Sequence, residues 1–127
     1  MLSLQTPQPN LVEYIATAEL WKTAKKECKT ERCKKLARRI LTSSSLREAI
    51  VYFMVAATVD AAEEMQYKLS DSDVQELVKI IDGCVTDNIV QQMVVASFLE
   101  DNKWAHELMD IVFECIENRV TKTYGSD

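Results

Sequence analysis

Glycine and proline are nearly missing from this chain: its 127 residues hold two of each, and both prolines, Pro7 and Pro9, precede the first periodic segment. Beyond Pro9 only Gly83 and Gly125 remain, which leaves the chain without the residues that make tight hairpin turns. A strand-rich fold is excluded on that ground, and an all-α fold is expected. Long apolar runs are missing as well. The longest, Ala49 to Val59, has eleven residues interrupted only by Thr58, short of the roughly 20 that cross a bilayer, so no membrane partner is expected. Met1 to Asn10 carries neither the charged start nor the apolar run of a secretory signal, so an intracellular, cytoplasmic protein is expected.

The groups that carry chemistry are equally scarce. His106 is the single histidine, and His106-Glu107-Leu108-Met109-Asp110 lacks the second histidine of a zincin helix. No serine sits in a nucleophile elbow, and no glycine-rich loop could cradle a nucleotide phosphate, so no catalytic residue, small-molecule substrate or nucleotide cofactor is expected. The four cysteines, Cys28, Cys33, Cys84 and Cys115, are too few and too scattered for a secreted disulfide scaffold. Cys28 and Cys33 supply two soft ligands at most, fewer than a structural zinc takes, and no metal site is expected. Buried free thiols are the expectation for this pair, with a disulfide across the corner they bracket as the alternative. The carboxylate pairs Glu63/Glu64 and Glu100/Asp101 fall at helix ends or exposed faces and read as solvating groups.

What the chain does have is helical periodicity. With 47% hydrophobic and 28% charged residues it has the make-up of a globular protein. Residues 10–123 are expected to form one helical domain, preceded by an extended or disordered segment over 1–9 and followed by a short tail over 124–127. Asn10 and Glu13 open the first helix, expected from Leu11 to Lys26. A slip in the apolar phase places a corner at Cys28 to Thr30, with Thr30 capping a second helix that ends in Thr42-Ser43-Ser44-Ser45. Ser45 and Glu48 form a capping box before a helix that is apolar on nearly every face, a hub covered on all sides. Leu69, Ser70, Asp73 and Val74 open a fourth helix that Gly83 ends. A fifth starts near Thr86 or Asp87. A sixth is capped by Asn102 and faces Trp104, Leu108, Ile111, Val112, Cys115 and Ile116 inward. The expected architecture is a compact bundle of six helices around the central apolar one.

The second positive feature is the placement of charge. Nine of the fifteen basic residues, Lys22, Lys25, Lys26, Lys29, Arg32, Lys34, Lys35, Arg38 and Arg39, fall in one segment with only Glu27 and Glu31. That segment carries +7, so with a whole-chain charge of −5 the rest carries −12. Lys22, Lys25, Lys26 and Lys29 recur at i, i+3, i+4 and i+7, which makes one stripe on a helix. Lys34, Lys35, Arg38 and Arg39 lie opposite the apolar positions Cys33, Leu36, Ala37 and Ile40. Burying the apolar face therefore turns those four cations outward. Two such rows suit a phosphate backbone, whose counterions they release, and the segment holds no aromatic residue to stack on bases. Sequence-independent contact with DNA or RNA backbone is the expectation. In size, all-helical make-up and segregated basic face, the chain resembles the small helical subunits of archaeal CRISPR interference complexes. The resemblance is one of architecture, without a shared residue motif. It implies an accessory subunit in antiviral defence, several copies per complex and no catalytic site. The alternative is an interaction adaptor, or a homo-oligomeric structural or viral coat protein, whose basic hairpin meets an acidic protein surface.

Overall fold

A computed structural model describes residues 11–124. They form six helices and no strand: α1 (Leu11–Glu27), α2 (Glu31–Leu41), α3 (Leu46–Glu64), α4 (Asp71–Cys84), α5 (Asp87–Phe98) and α6 (Asn102–Tyr124). The expected cap at Asn10, the segment 1–9 and the tail beyond Tyr124 lie outside the described residues.

Side-chain caps set most of the helix starts. Thr30, Ser45, Ser70 and Thr86 each accept a hydrogen bond from the backbone N–H three residues on, satisfying a donor that the first turn leaves free. Ser70 and Asp73 complete a reciprocal capping box. The box expected at Ser45 is displaced by one residue, since the Glu48 carboxylate accepts from the Ser44 N–H at 2.7 Å. The cap of α6 also shifts by one, from Asn102 to Asp101, whose carboxylate accepts from the Trp104 N–H at 3.0 Å.

The shortage of glycine shows at the helix ends. α3 and α5 close with left-handed residues at Gln66 (φ 64°) and Glu100 (φ 55°), where glycine is the usual occupant. In each case the two reversed hydrogen bonds of a Schellman motif form: Tyr67 N–H to Ala62 O and Gln66 N–H to Glu63 O, then Asp101 N–H to Ala96 O and Glu100 N–H to Ser97 O. Gly83, expected to end α4, lies within the helix instead, and its φ is not positive. The Arg119 side chain of α6 crosses over it, with Nη1 2.5 Å from where a Cβ would stand.

α3 is the hub. It packs against α1, α2, α4 and α5, and contributes Leu46, Val51, Met54, Val55 and Val59 to the main buried cluster. A second cluster, Ala24, Cys28, Cys33, Ala37, Ile40, Ala49 and Ala56, joins α1 and α2 to the other side of α3. The small residues of this cluster let the three helices approach closely. The expectation that α3 is covered on all sides does not hold. Among the described residues α1 packs only on α2 and α3, while α5 and α6 pack on each other, and a groove of about 790 Å³ lies between them. Ile50, Phe53, Met54 and Ala57 of α3 form its floor. Ile111, expected to face inward, is 56% exposed, because α6 buries only one side, through Leu108 and Val112, onto its neighbours. Cys84 and Cys115 form a disulfide that ties the end of α4 to α6. No described helix is long and apolar enough to cross a membrane.

Candidate nucleic-acid interface

The basic segment becomes a helical hairpin because its corner is fixed from three directions. The Cys28 N–H continues the α1 ladder to Ala24 O at 2.8 Å, and two residues later Thr30 caps α2 by accepting from the Cys33 N–H at 3.1 Å. This brings the Cα atoms of Cys28 and Cys33 to 5.5 Å, and a disulfide joins them in place of the free thiols expected. The third tether comes from α3. Asp60, buried to 8% exposure, accepts from the N–H groups of Lys29 (3.0 Å) and Thr30 (3.0 Å) and from the Thr30 hydroxyl (3.1 Å). A carboxylate here also faces the positive end of α2. Sequence reasoning left Asp60 without a role, since its partners lie about 30 residues away and no local pattern announces them.

The nine cations divide by what they meet. Arg32 is structural. It is 21% exposed, lies 3.5 Å from Glu63 and 2.8 Å from Asp71, and donates to Leu69 O, so it joins the start of α2 to the end of α3 and the start of α4. Lys29 sits in the corner beyond α1 and donates to Glu64 at 2.8 Å. That hydrogen bond first, and the Glu64 charge next, raise the Lys29 pKa above the ordinary lysine value. The ammonium therefore keeps its proton throughout the neutral range. Glu63 and Glu64 are thus partners of the basic segment, not the solvating groups they resemble in sequence. Lys22 and Lys34 make looser exposed contacts, at 3.9 Å to Glu19 and 3.6 Å to Glu31, of the kind that contribute little.

The remaining five, Lys25, Lys26, Lys35, Arg38 and Arg39, are exposed and have no carboxylate within pairing distance among the described residues. Four of them share one surface. Lys35, Arg38 and Arg39 point away from the buried Cys33, Ala37 and Ile40 of α2. Lys25 lies on the α2-facing side of α1, its Nζ 4.7 Å above the centre of the Trp21 ring. Arg39 stacks on Tyr52 of α3 at 4.7 Å and donates to its hydroxyl at 2.9 Å. The two aromatic rings that the fold brings to this surface are therefore covered by its own cations and offer no open stacking platform. What remains is a pre-ordered set of charges: stacking holds two long side chains in place, and an attached phosphate would still meet a full positive charge. Lys26, about 100° further round α1, is turned away from that surface, in phase with Glu19.

Elsewhere, His106 is exposed and its Nδ1 lies 2.8 Å from Asn102 O. Among the described residues no group of three or more His, Cys, Asp or Glu side chains comes together as a metal site would require. Compared with known proteins, the chain matches no family model, and no curated protein or solved structure is similar to it.

Proposed function

We propose that this protein binds the phosphate backbone of DNA or RNA without sequence preference, as a non-enzymatic helical subunit of a nucleoprotein assembly. The observation that carries the reading is the surface of Lys25, Lys35, Arg38 and Arg39, exposed and without acidic partners among the described residues, on a hairpin fixed by Asp60 and the Cys28–Cys33 disulfide. Rigid placement reduces the ordering cost of binding, and the strongly acidic remainder keeps other faces away from the ligand. Lys22 and Lys34 add to the same field once phosphate competes with their exposed carboxylates. Arg32 and Lys29 do not, because Glu63, Asp71 and Glu64 already engage them. Such a subunit would work in the manner of the CRISPR small subunits that the chain resembles in make-up.

Anisotropy of labelled random-sequence DNA and RNA, titrated across salt, tests this. Four or five phosphate contacts give a slope of log K against log salt of about −4, or roughly 250-fold weaker binding between 50 and 200 mM salt. K35E/R38E should remove most of the affinity while the far-ultraviolet spectrum stays helical. Absence of binding to either nucleic acid at low salt refutes the proposal, and unchanged affinity of K35E/R38E shows that the hairpin is the wrong surface. In that second case the acidic-protein reading of the same face takes its place.

A further inference from the structure

α2 stands at the outside of the bundle. α1, α2 and α3 all pack on one another, and among the described residues α2 packs on no other helix, Arg32 alone reaching Asp71 of α4. It is therefore the outer corner of a triangle, exposed at Glu31, Lys34, Lys35, Arg38, Arg39 and Leu41. Cys33, Leu36, Ala37 and Ile40 fix its inward direction. At about 100° per residue, Lys35 and Arg39 then lie about 30° and 70° to one side of the outward direction, and Arg38 and Lys34 about 30° and 70° to the other. The Lys35/Arg39 side faces α3, because Arg39 stacks on Tyr52 and donates to its hydroxyl. The Arg38/Lys34 side faces α1. There Lys25, three residues before Cys28, comes level with Leu36, three beyond Cys33, and so stands between Lys34 and Arg38.

A ridge with cations down both flanks suits two strands better than one. A single strand lies in a groove and stacks its bases on open aromatic rings. Here Trp21 and Tyr52 are covered by Lys25 and Arg39. Tyr14, the other ring on that side of α1, is 61% exposed but stands eleven residues from Lys25, about 16 Å along the helix, and makes no row of rings. A duplex carries a phosphate row on either side of each groove. A helix with its side chains is about 10–12 Å across, which the B-form major groove, about 12 Å wide, admits and the minor groove, about 6 Å wide, does not. In A-form RNA the major groove is too deep and narrow for side chains to enter.

From this we infer that α2 seats in the major groove of B-form duplex DNA, with Lys25, Lys34 and Arg38 directed to the phosphates of one strand and Lys35 and Arg39 to those of the other. The inference rests on the phosphate-binding reading above and names the form of nucleic acid that the same surface takes. Arg39 keeps donors free for phosphate, since a guanidinium has five N–H groups and Tyr52 takes one. Glu31 shares the exposed arc at the corner end of α2, 3.6 Å from Lys34, so the arc with Lys25 still carries five positive charges against one negative. α2 holds no Asn or Gln to pair with adenine, in keeping with a seat held by backbone contacts.

The test compares a short DNA duplex, each of its single strands and the RNA duplex of the same sequence by anisotropy at one low salt concentration. The DNA duplex should bind at least about tenfold more tightly than the others. A duplex whose cytosines carry a glucosyl group at C5, which fills the major groove, should bind at least about tenfold more weakly, and a minor-groove ligand should not compete. K34Q and R39Q should each lower the slope of log K against log salt by about 1, and together by about 2, because they serve different strands. Single strands that bind as tightly as the duplex overturn the duplex. An RNA duplex that binds as tightly, or indifference to the glucosyl groups, overturns the major-groove seat. A slope that responds to only one of K34Q and R39Q overturns contact with both strands. In each of these cases backbone binding itself stands, whereas absence of binding to every nucleic acid overturns both readings.

Discussion

Removing the Asp60 carboxylate should loosen the corner from which the basic surface is built. In the wild type its Oδ1 takes three hydrogen bonds, from two backbone N–H groups and the Thr30 hydroxyl, and Oδ2 takes a second, longer contact of 3.2 Å from Lys29. Asp60→Ala orphans all of them. A pocket of about 240 Å³ lined by Asp60 and Lys29 opens there, so water can reach the Lys29 N–H, and the Thr30 N–H and hydroxyl remain poorly satisfied. At roughly 1–1.5 kcal/mol for each, plus about 0.5–1 kcal/mol for the lost charge at the start of α2, the variant should lose about 2.5–4 kcal/mol. For a chain of this length the entropy of unfolding converts that to a midpoint about 12 °C lower. Asp60→Asn separates geometry from charge. Its carbonyl oxygen can stand where Oδ1 stands and keep all three bonds, while its NH₂ faces the Lys29 N–H and the charge is gone, so it should lose only about 1–1.5 kcal/mol, or about 5 °C. Thermal melts of the oxidised protein followed by circular dichroism measure both. If Asp60→Ala moved the midpoint by less than about 4 °C, or if the two variants were equally damaging, the account of the corner would be wrong.

Other perturbations bear on the rest of the framework. Gln66→Gly and Glu100→Gly place glycine at the left-handed closing positions of α3 and α5 and should each stabilise by about 0.5–1 kcal/mol, read as a raised melting midpoint. Gly83→Ala should also stabilise, by up to about 1 kcal/mol, because the atom a Cβ would meet is the mobile end of Arg119, which can swing aside; a loss of stability would show that Arg119 is held there. The two disulfides close loops of different length. With sequence separations of 31 and 5, loop entropy gives about 3.7 kcal/mol for Cys84–Cys115 against about 2 kcal/mol for Cys28–Cys33. Denaturant melts of the Cys84→Ala/Cys115→Ala and Cys28→Ala/Cys33→Ala pairs should preserve that order, and the reverse order would contradict the entropic account.

The local features of the fold were legible in the sequence because their causes are local. Apolar spacing and capping residues three positions apart placed the helices to within a residue or two, as at Thr30, Ser70 and Thr86, and glycine scarcity ruled out strands. The slips are local as well: Asp101 caps in place of Asn102 because either side chain can reach the same N–H groups, and Gly83 continues α4 because a glycine permits a left-handed end without requiring one. The outward turn of Lys35, Arg38 and Arg39 also follows from spacing alone, since burying one side of a helix exposes the other.

Tertiary structure decided what those charges meet and what stays uncovered. Spacing cannot tell Arg32 from Arg38, yet the approach of Glu63 and Asp71 makes one a strut between helices while the other stays free. Nor can a pattern that is apolar on every face say whether α3 is covered all round. The answer depends on where α1, α5 and α6 stand relative to one another, and their separation leaves Phe98 and Phe113 at an open groove. Contacts such as Asp60 with the α1–α2 corner, or Cys84 with Cys115, join residues about 30 positions apart. A one-dimensional pattern carries no signal for such pairs, because only the packing of helices in space brings them together.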